Sequence, residues 1–343
     1  MDPAIHRGEL PPSEVYRRFA RTEAHGSSEV YEDWAENIAE DPAVLDLLAS
    51  LPRPKRQPNL VFAAARLHGA EGSYASFRGT LLDRWDAIRR TILARSTQTN
   101  EAARCAVLLP FLSALPQPLA LIEVGASAGL CLLPDRYPYR YTAVRDTTGH
   151  DVGARLDPAG GPSEVVIDCG TGAGVTLPDA LPRVAWRAGI DLAPVDVRDP
   201  ASTDWLETLI WPEHHESQGR LRAALDIARR DPPRVVAGDL NEALPALVAE
   251  APAEATLVVF HTAVLAYLDA GARAGFVGLV RDLPGHWISN EGRGVVPHPT
   301  TGADTGVAGG TGVRDGRFVV AVDGVPRALA DPHGRSVSGL PED

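Results

Sequence analysis

The sequence predicts an α/β fold in which a helical N-terminal region precedes a doubly wound, mostly parallel sheet. Three observations predict it. Up to Leu115 the apolar residues recur at helical spacing. From Pro116 onward, short apolar runs alternate with amphipathic stretches, the pattern of βαβ units. Several of those runs end in Gly, Asp or His, residue types that shape ligand crevices at the carboxyl ends of parallel strands.

Residues 12–50 carry Val15, Phe19, Tyr31, Trp34, Ile38, Val44, Leu47 and Leu48 at helix-compatible spacing, with breaks at Gly26-Ser27-Ser28 and Asp41-Pro42. Residues 51–59 are a proline-punctuated connector. Further helices are expected over 60–69, 74–95 and from Asn100 to about Leu115. PLALIEVGASAGLCLL then reads as a strand, a glycine turn and the start of a helix. Strands follow at 184–192, 233–240, 255–262 and 285–292, with helices at 221–230, 244–251 and 272–283. The stretch from Thr301 to about Gly316 is a Gly/Thr-rich loop, and RFVVAVDGVPRALA is a β-hairpin turning at Asp323-Gly324. The expected domains are therefore a helical N-terminal cap, 1–115, and a sheet domain, 116–343, with an inserted β-rich segment near 137–183.

Composition narrows the function. A chain of 343 residues makes one large or two modest domains. Its 33 basic and 45 acidic residues leave a net charge of −12, which argues against a nucleic-acid-coating surface. Positive charge is nearly all arginine, with Lys55 the single lysine. Cys105, Cys131 and Cys169 form no CxxC pair, so neither a disulfide scaffold nor a cysteine-rich zinc site is expected. The adjacent His214 and His215 point in different directions on a helix and make no metal site. No apolar run reaches the roughly 18 residues of a membrane span, and no signal-peptide core opens the chain. A soluble, cytoplasmic protein with a small-molecule partner is the expectation, its oligomeric state left open.

Chemistry concentrates at the strand ends. Glu123-Val-Gly125-Ala-Ser127-Ala-Gly129 is a strand-to-helix turn where glycines admit close backbone approach and a helix start offers free N–H groups. Ser127 stands at the middle glycine position of GxGxxG, a departure that weighs against NAD or FAD. Asp191 follows the next long apolar run, where its carboxylate can accept from both ribose hydroxyls; Asp239 is placed to accept from an adenine amino group. Asn100 and Arg104 precede the first strand, either as a helix cap and a surface ion pair with Glu101 or as holders of a cofactor's amino-acid end. Asp135, Arg136 and Tyr137 line either the substrate side or a solvated loop. His261 and Glu291 end two later strands; Glu291, expected to face the same crevice, is either a substrate-binding or general-base carboxylate, with His261 as the other candidate base, or a loop cap.

These residues resemble the motifs of class I S-adenosylmethionine-dependent methyltransferases. Glu123-Val-Gly125-x-x-x-Gly129 is similar to their first motif, Gly189-Ile-Asp191 to the acidic end of their second strand, Ala237-Gly238-Asp239 to the end of their third, and VVFHT to their fourth. One departure is a separation of 66 residues between Gly125 and Asp191, where about 20 is usual. Asp146, after the strand-like YRYTAV, is the alternative ribose acid. A longer resemblance is to a bacterial domain-of-unknown-function family, number 2332, through TQTNEAARC, LIEVGASAGLCLLPDRYPY, RAGIDLAPVDV, WLETLIWPEH, SNEG and DPHG. Together these imply a Rossmann-like, seven-strand methyltransferase-type sheet that binds S-adenosyl-L-methionine. Methyl transfer to a small molecule is the expected activity. The same fold can instead use the sulfonium for cyclisation or aminocarboxypropyl transfer, or serve as an inactive binding module.

Overall fold

The computed structural model describes residues 10–98, 100–143, 153–159, 165–297 and 316–341. The helices before the sheet are α1 (Pro12–Phe19), α2 (Glu29–Ile38), α3 (Pro42–Ala49), α4 (Pro58–Leu67), α5 (Tyr74–Asp83), α6 (Trp85–Ala94) and α7 (Arg104–Ser113). Strands β1 (Leu119–Val124), β2 (Tyr139–Ala143), β3 (Ala154–Leu156), β4 (Ile167–Thr171) and β5 (Val184–Asp191) come next. They are followed by α8 (Pro200–Leu209), α9 (His215–Arg230), β6 (Arg234–Ala237), α10 (Leu240–Ala249), β7 (Thr256–Thr262), α11 (Ala270–Asp282) and β8 (His286–Gly292). The chain closes with β9 (Phe318–Val322), β10 (Val325–Ala330) and β11 (Ser336–Gly339). No helix among the described residues is long and apolar enough to cross a membrane.

Contacts divide the chain into two compact units, one of Asp2–Thr99 with Asp199–Gly219 and one of Asn100–Arg198 with Arg220–Asp343. The boundary differs from the one expected at Pro116: α7 belongs to the sheet unit, and α8, from beyond β5, to the helical unit.

The helical unit is built on its aromatic residues. Tyr16, Tyr31, Trp34, Phe62, Phe77 and Trp205 are all buried, and the rings of the first five meet edge-on or tilted, as between Trp34 and Phe77 at 4.5 Å. The breaks seen in the sequence are helix starts. The Ser28 side chain accepts from the Tyr31 N–H to cap α2, and Asp41 accepts from Ala43 and Val44 to cap α3. The helix expected over 74–95 is two helices, because Arg84 leaves helical geometry at φ −120°. Trp205 and Trp211 are packing residues here: their indoles donate to Ser96 O and Asn59 Oδ1 at 3.0 Å.

Among the described residues the sheet unit holds eleven strands in the order β3-β2-β4-β11-β10-β9-β8-β7-β1-β5-β6, more than the seven expected. Its core is β6-β5-β1-β7-β8, all parallel, which is the third, second, first, fourth and fifth strand of a doubly wound sheet. The chain leaves β1 in one direction and returns to β7 on its other side, so the topological switch point lies between β1 and β7. Strands β9 and β10 form the expected hairpin at Asp323-Gly324 and run antiparallel. The described part of the insertion is β-rich, and β2, β3 and β4 pair at the far edge beyond β11. That is why the long separation before Asp191 does no damage: β5 still pairs directly with β1, Val124 opposite Ile190. Asp146 and residues 301–315 of the expected loop lie outside the described residues.

Candidate functional site

The turn after β1 keeps its N–H groups for itself. Gly125 and Ala126 donate to Ile190 O at 2.8 and 3.0 Å, and Gly129 donates to Ala126 O at 2.7 Å. Ser127 N–H donates to Asp191 Oδ2 at 2.8 Å, and Ala128 N–H to Asn100 Oδ1 at 2.9 Å. After Gly129 comes a three-residue 3-10 turn, Leu130–Leu132, in place of the expected helix. The reason lies in the side chains: Leu130, Cys131, Leu132 and Leu133 are all buried, leaving no solvent face for a surface helix. All five N–H groups from Gly125 to Gly129 are thus engaged within the protein, which leaves none of them to cradle a phosphate. Gly129 also faces protein, since a Cβ there would lie 2.6 Å from Pro233 Cγ.

Asn100 caps no helix. Its amide bridges Ser127 Oγ, at 2.9 Å, and the Ala128 N–H, fastening the segment before α7 to the turn. Glu101 and Arg104 do not pair with each other. Glu101 takes Arg220 at 2.8 Å, whereas buried Arg104 donates to Pro332 O at 2.8 Å and to Thr262 O and Oγ1 at 3.2 Å. Asp191 splits its carboxylate between the Ser127 and Ala193 N–H groups, both at 2.8 Å. Asp239 caps α10 by accepting from Asn241 N–H at 2.8 Å. Asp135 is bound to Arg187 through both oxygens, and the Tyr137 hydroxyl donates to Leu130 O; both are structural contacts.

Side-chain alternation divides the strand ends into two groups. Glu123 stands opposite Phe260, Phe260 opposite Ile288, and Thr262 opposite Asn290, so Glu123, Thr262 and Asn290 share one face of the sheet. His261, Trp287 and Glu291 project to the other face, where Trp287 packs with Phe276 in the apolar core. There the Trp287 indole N–H donates to His261 Nε2 at 3.0 Å, which places the imidazole proton on Nδ1, 2.7 Å from Glu291 Oε1. The same oxygen accepts from Val264 and Leu265 N–H at 2.8 and 3.0 Å. Glu291 is 2% exposed and His261 0%, so this pair braces the turn after β7 and faces no crevice. The bases expected from the sequence have a structural use.

The other face is underbonded. The carboxyl of Glu123, a residue 5% exposed, has no hydrogen-bond partner among the described residues, and its Oε2 is fully enclosed. Burial pushes its carboxyl well above the usual carboxylate range; Cys131 and Asp191 add to the rise, and Arg104 opposes it. Asn290, 0% exposed, leaves both amide atoms unpartnered. Arg104 Nη2 has no partner among the described residues. Two of the three non-glycine residues with positive φ among the described residues, Ser127 at 49° and Ala263 at 57°, sit in the turns after β1 and β7. Strain and unmet polar groups thus gather at the switch point, where doubly wound sheets bind ligands. Leu192, 77% exposed, and Tyr267, 76% exposed, follow β5 and β7.

Asn290 escaped the sequence reading, although the period-2 alternation of Ser289-Asn290-Glu291 already separates it from Glu291. An unpaired buried amide costs stability, so Asn290→Leu is expected to stabilise the free protein by about 1 kcal/mol. Urea unfolding checks this, and destabilisation by that much or more would mean that the amide is satisfied.

Among the described residues no group of three or more His, Cys, Asp or Glu side chains could hold a metal ion. No curated protein and no solved structure matches the chain. A family model matches residues 13–338, and the chain belongs to that family, described as uncharacterized proteins conserved in bacteria (DUF2332).

Proposed function

We propose that the sheet unit binds S-adenosyl-L-methionine and transfers its methyl group to a small molecule. The observation that carries this reading is the buried, unpartnered Glu123 carboxyl at a switch point whose glycine turn has no phosphate cradle. Such a site suits a nucleoside with an ammonium group and no phosphate. In this reading Glu123 accepts the ammonium, Arg104 Nη2 and the Asn290 amide take the carboxylate, and Asn100 holds the turn through Ser127. The free lone pairs of Asp191 accept the ribose hydroxyls, and Asp239 Oδ2 accepts the adenine amino group. Gly125 and Gly129 shape the turn by their positive φ of 73° and 70°. When bound, the cofactor supplies a methyl group already activated by its sulfonium; the residues of the chain align the acceptor and exclude water. The sealing of His261 and Glu291 favours one second reading, a binding module without turnover.

The test is calorimetric titration with S-adenosylhomocysteine in two buffers of different ionisation enthalpy. A Glu123 carboxyl held protonated by burial must ionise to meet an ammonium, so binding should release a proton. Glu123→Gln should abolish that release and weaken binding about tenfold or more, the size of one lost charge-assisted hydrogen bond. Absence of binding, or tight binding of NAD in its place, overturns the assignment.

A further inference from the structure

The helical unit contains a cleft of about 420 Å³, within the range of small-molecule sites, lined in part by Val30, Trp34, Arg66, Glu71, Pro212 and Gln218. Arg66 is held there by a single nitrogen. Its Nη1 donates to Tyr31 Oη at 3.2 Å and to Thr208 O at 2.9 Å, and it reaches Ile210 O as well. The guanidinium also lies 6.0 Å from the centre of the Tyr31 ring. Nε and Nη2, the edge that grips a carboxylate through two parallel bonds, carry no protein partner. The plane is thus fixed before any ligand arrives, which lowers the ordering cost of binding.

The rim places an acid in the same cleft. Gly69 and Gly72 both have positive φ, 94° and 65°, with open space where a Cβ would stand. These two left-handed glycines bracket Ala70 and Glu71, and the Trp34 indole N–H ties the loop down by donating to Gly72 O at 2.8 Å. Glu71 is exposed and forms no ion pair with any described residue. Val30 and Pro212, both half-buried, add apolar edges to a lining that is otherwise mainly polar.

We propose that this cleft is a second ligand site, taking a small α-amino acid with its carboxylate on Arg66 and its ammonium on Glu71. A cation and an anion lining one cleft complement a zwitterion better than either a simple acid or a simple amine. The site lies wholly within the helical unit and is independent of the cofactor reading.

Nitrogen-15 NMR of the full chain tests it by following the Trp34 Nε1–H and Arg66 Nε–H signals. L-leucine and L-phenylalanine should shift both saturably. 4-Methylpentanoate and 3-methylbutylamine, each lacking one charge of leucine, should bind at least about tenfold more weakly. Glu71→Gln alters an exposed side chain and should weaken leucine binding by a similar factor with the same melting temperature. Arg66→Lys should do so too, though it also loosens Tyr31 and the end of α8. The proposal is overturned if neither amino acid gives a saturable shift, if inorganic phosphate binds as well as leucine, or if Glu71→Gln leaves leucine binding unchanged.

Discussion

Glu291→Ala is expected to destabilise the sheet unit by about 3–5 kcal/mol, the largest single effect anticipated for this protein. One carboxylate oxygen receives His261 Nδ1–H and the Val264 and Leu265 N–H groups in a site closed to water. Removing it strands three buried donors, each costing about 1–3 kcal/mol before the neighbours relax. Part of that loss is recovered by local movement, hence the lower total. Glu291→Gln keeps an acceptor but sets an amide nitrogen where Oε2 has no partner, and should cost about 1–2 kcal/mol. Denaturant unfolding followed by circular dichroism checks both. If Glu291→Ala unfolds like the parent while a ligand-dependent signal disappears, the brace assignment is wrong and the carboxylate faces a ligand.

Gly334→Ala is expected to cost roughly 2–5 kcal/mol, through strain and overlap together. Gly334 has φ 82°, and a Cβ on it would lie 2.1 Å from Ala103 O and 2.7 Å from Arg104 N. Both atoms are backbone at the start of α7, so no side chain can swing aside. The turn that holds Asp331 and Pro332 would have to lift, breaking the bond from Arg104 Nε to Pro332 O and freeing Arg104 from its fixed position. Thermal unfolding reads the loss. An unchanged melting temperature would mean that the turn does not touch α7 as closely as described.

The fold was legible wherever local pattern decides it. Apolar runs marked β1, β5, β6, β7 and β8, Asp323-Gly324 marked its hairpin, and the breaks at Gly26-Ser27-Ser28 and Asp41-Pro42 marked where one N-terminal helix gives way to the next. What escaped depends on partners distant in sequence. Nothing near Tyr139 says that β2 pairs with β4 at the far edge, because that choice is made by which sheet edge is free. Asn100 reads locally as a cap, yet its amide is committed to Ser127 and Ala128 across the turn. The acids at strand ends lie where expected, and Asp191 and Asp239 already serve nearby N–H groups, the commoner use of such acids as turn formers and helix caps. For Glu291 the strand was right and the crevice-facing side was not, whereas the alternative of a loop cap agrees with its bonds to Val264 and Leu265; one residue of parity separates this sealed brace from an open amide.

The helical unit is completed by a segment, Asp199–Gly219, that the chain delivers only after β5. Synthesis therefore makes the N-terminal helices wait. At about 5–20 residues per second, roughly 5–20 s separate the emergence of α6 from that of Trp205, which is buried in the core those helices form. During that interval Phe19 and Tyr31 lack Trp211, whose ring lies 5.7 and 5.3 Å from theirs in the folded unit. The nascent chain thus carries an exposed aromatic surface while its first sheet strands are being made, and a chaperone that holds aromatic segments has a defined window in which to act. Closure of the core by α8 is an event of late translation, so the first residues to be synthesised are not the first to be finished.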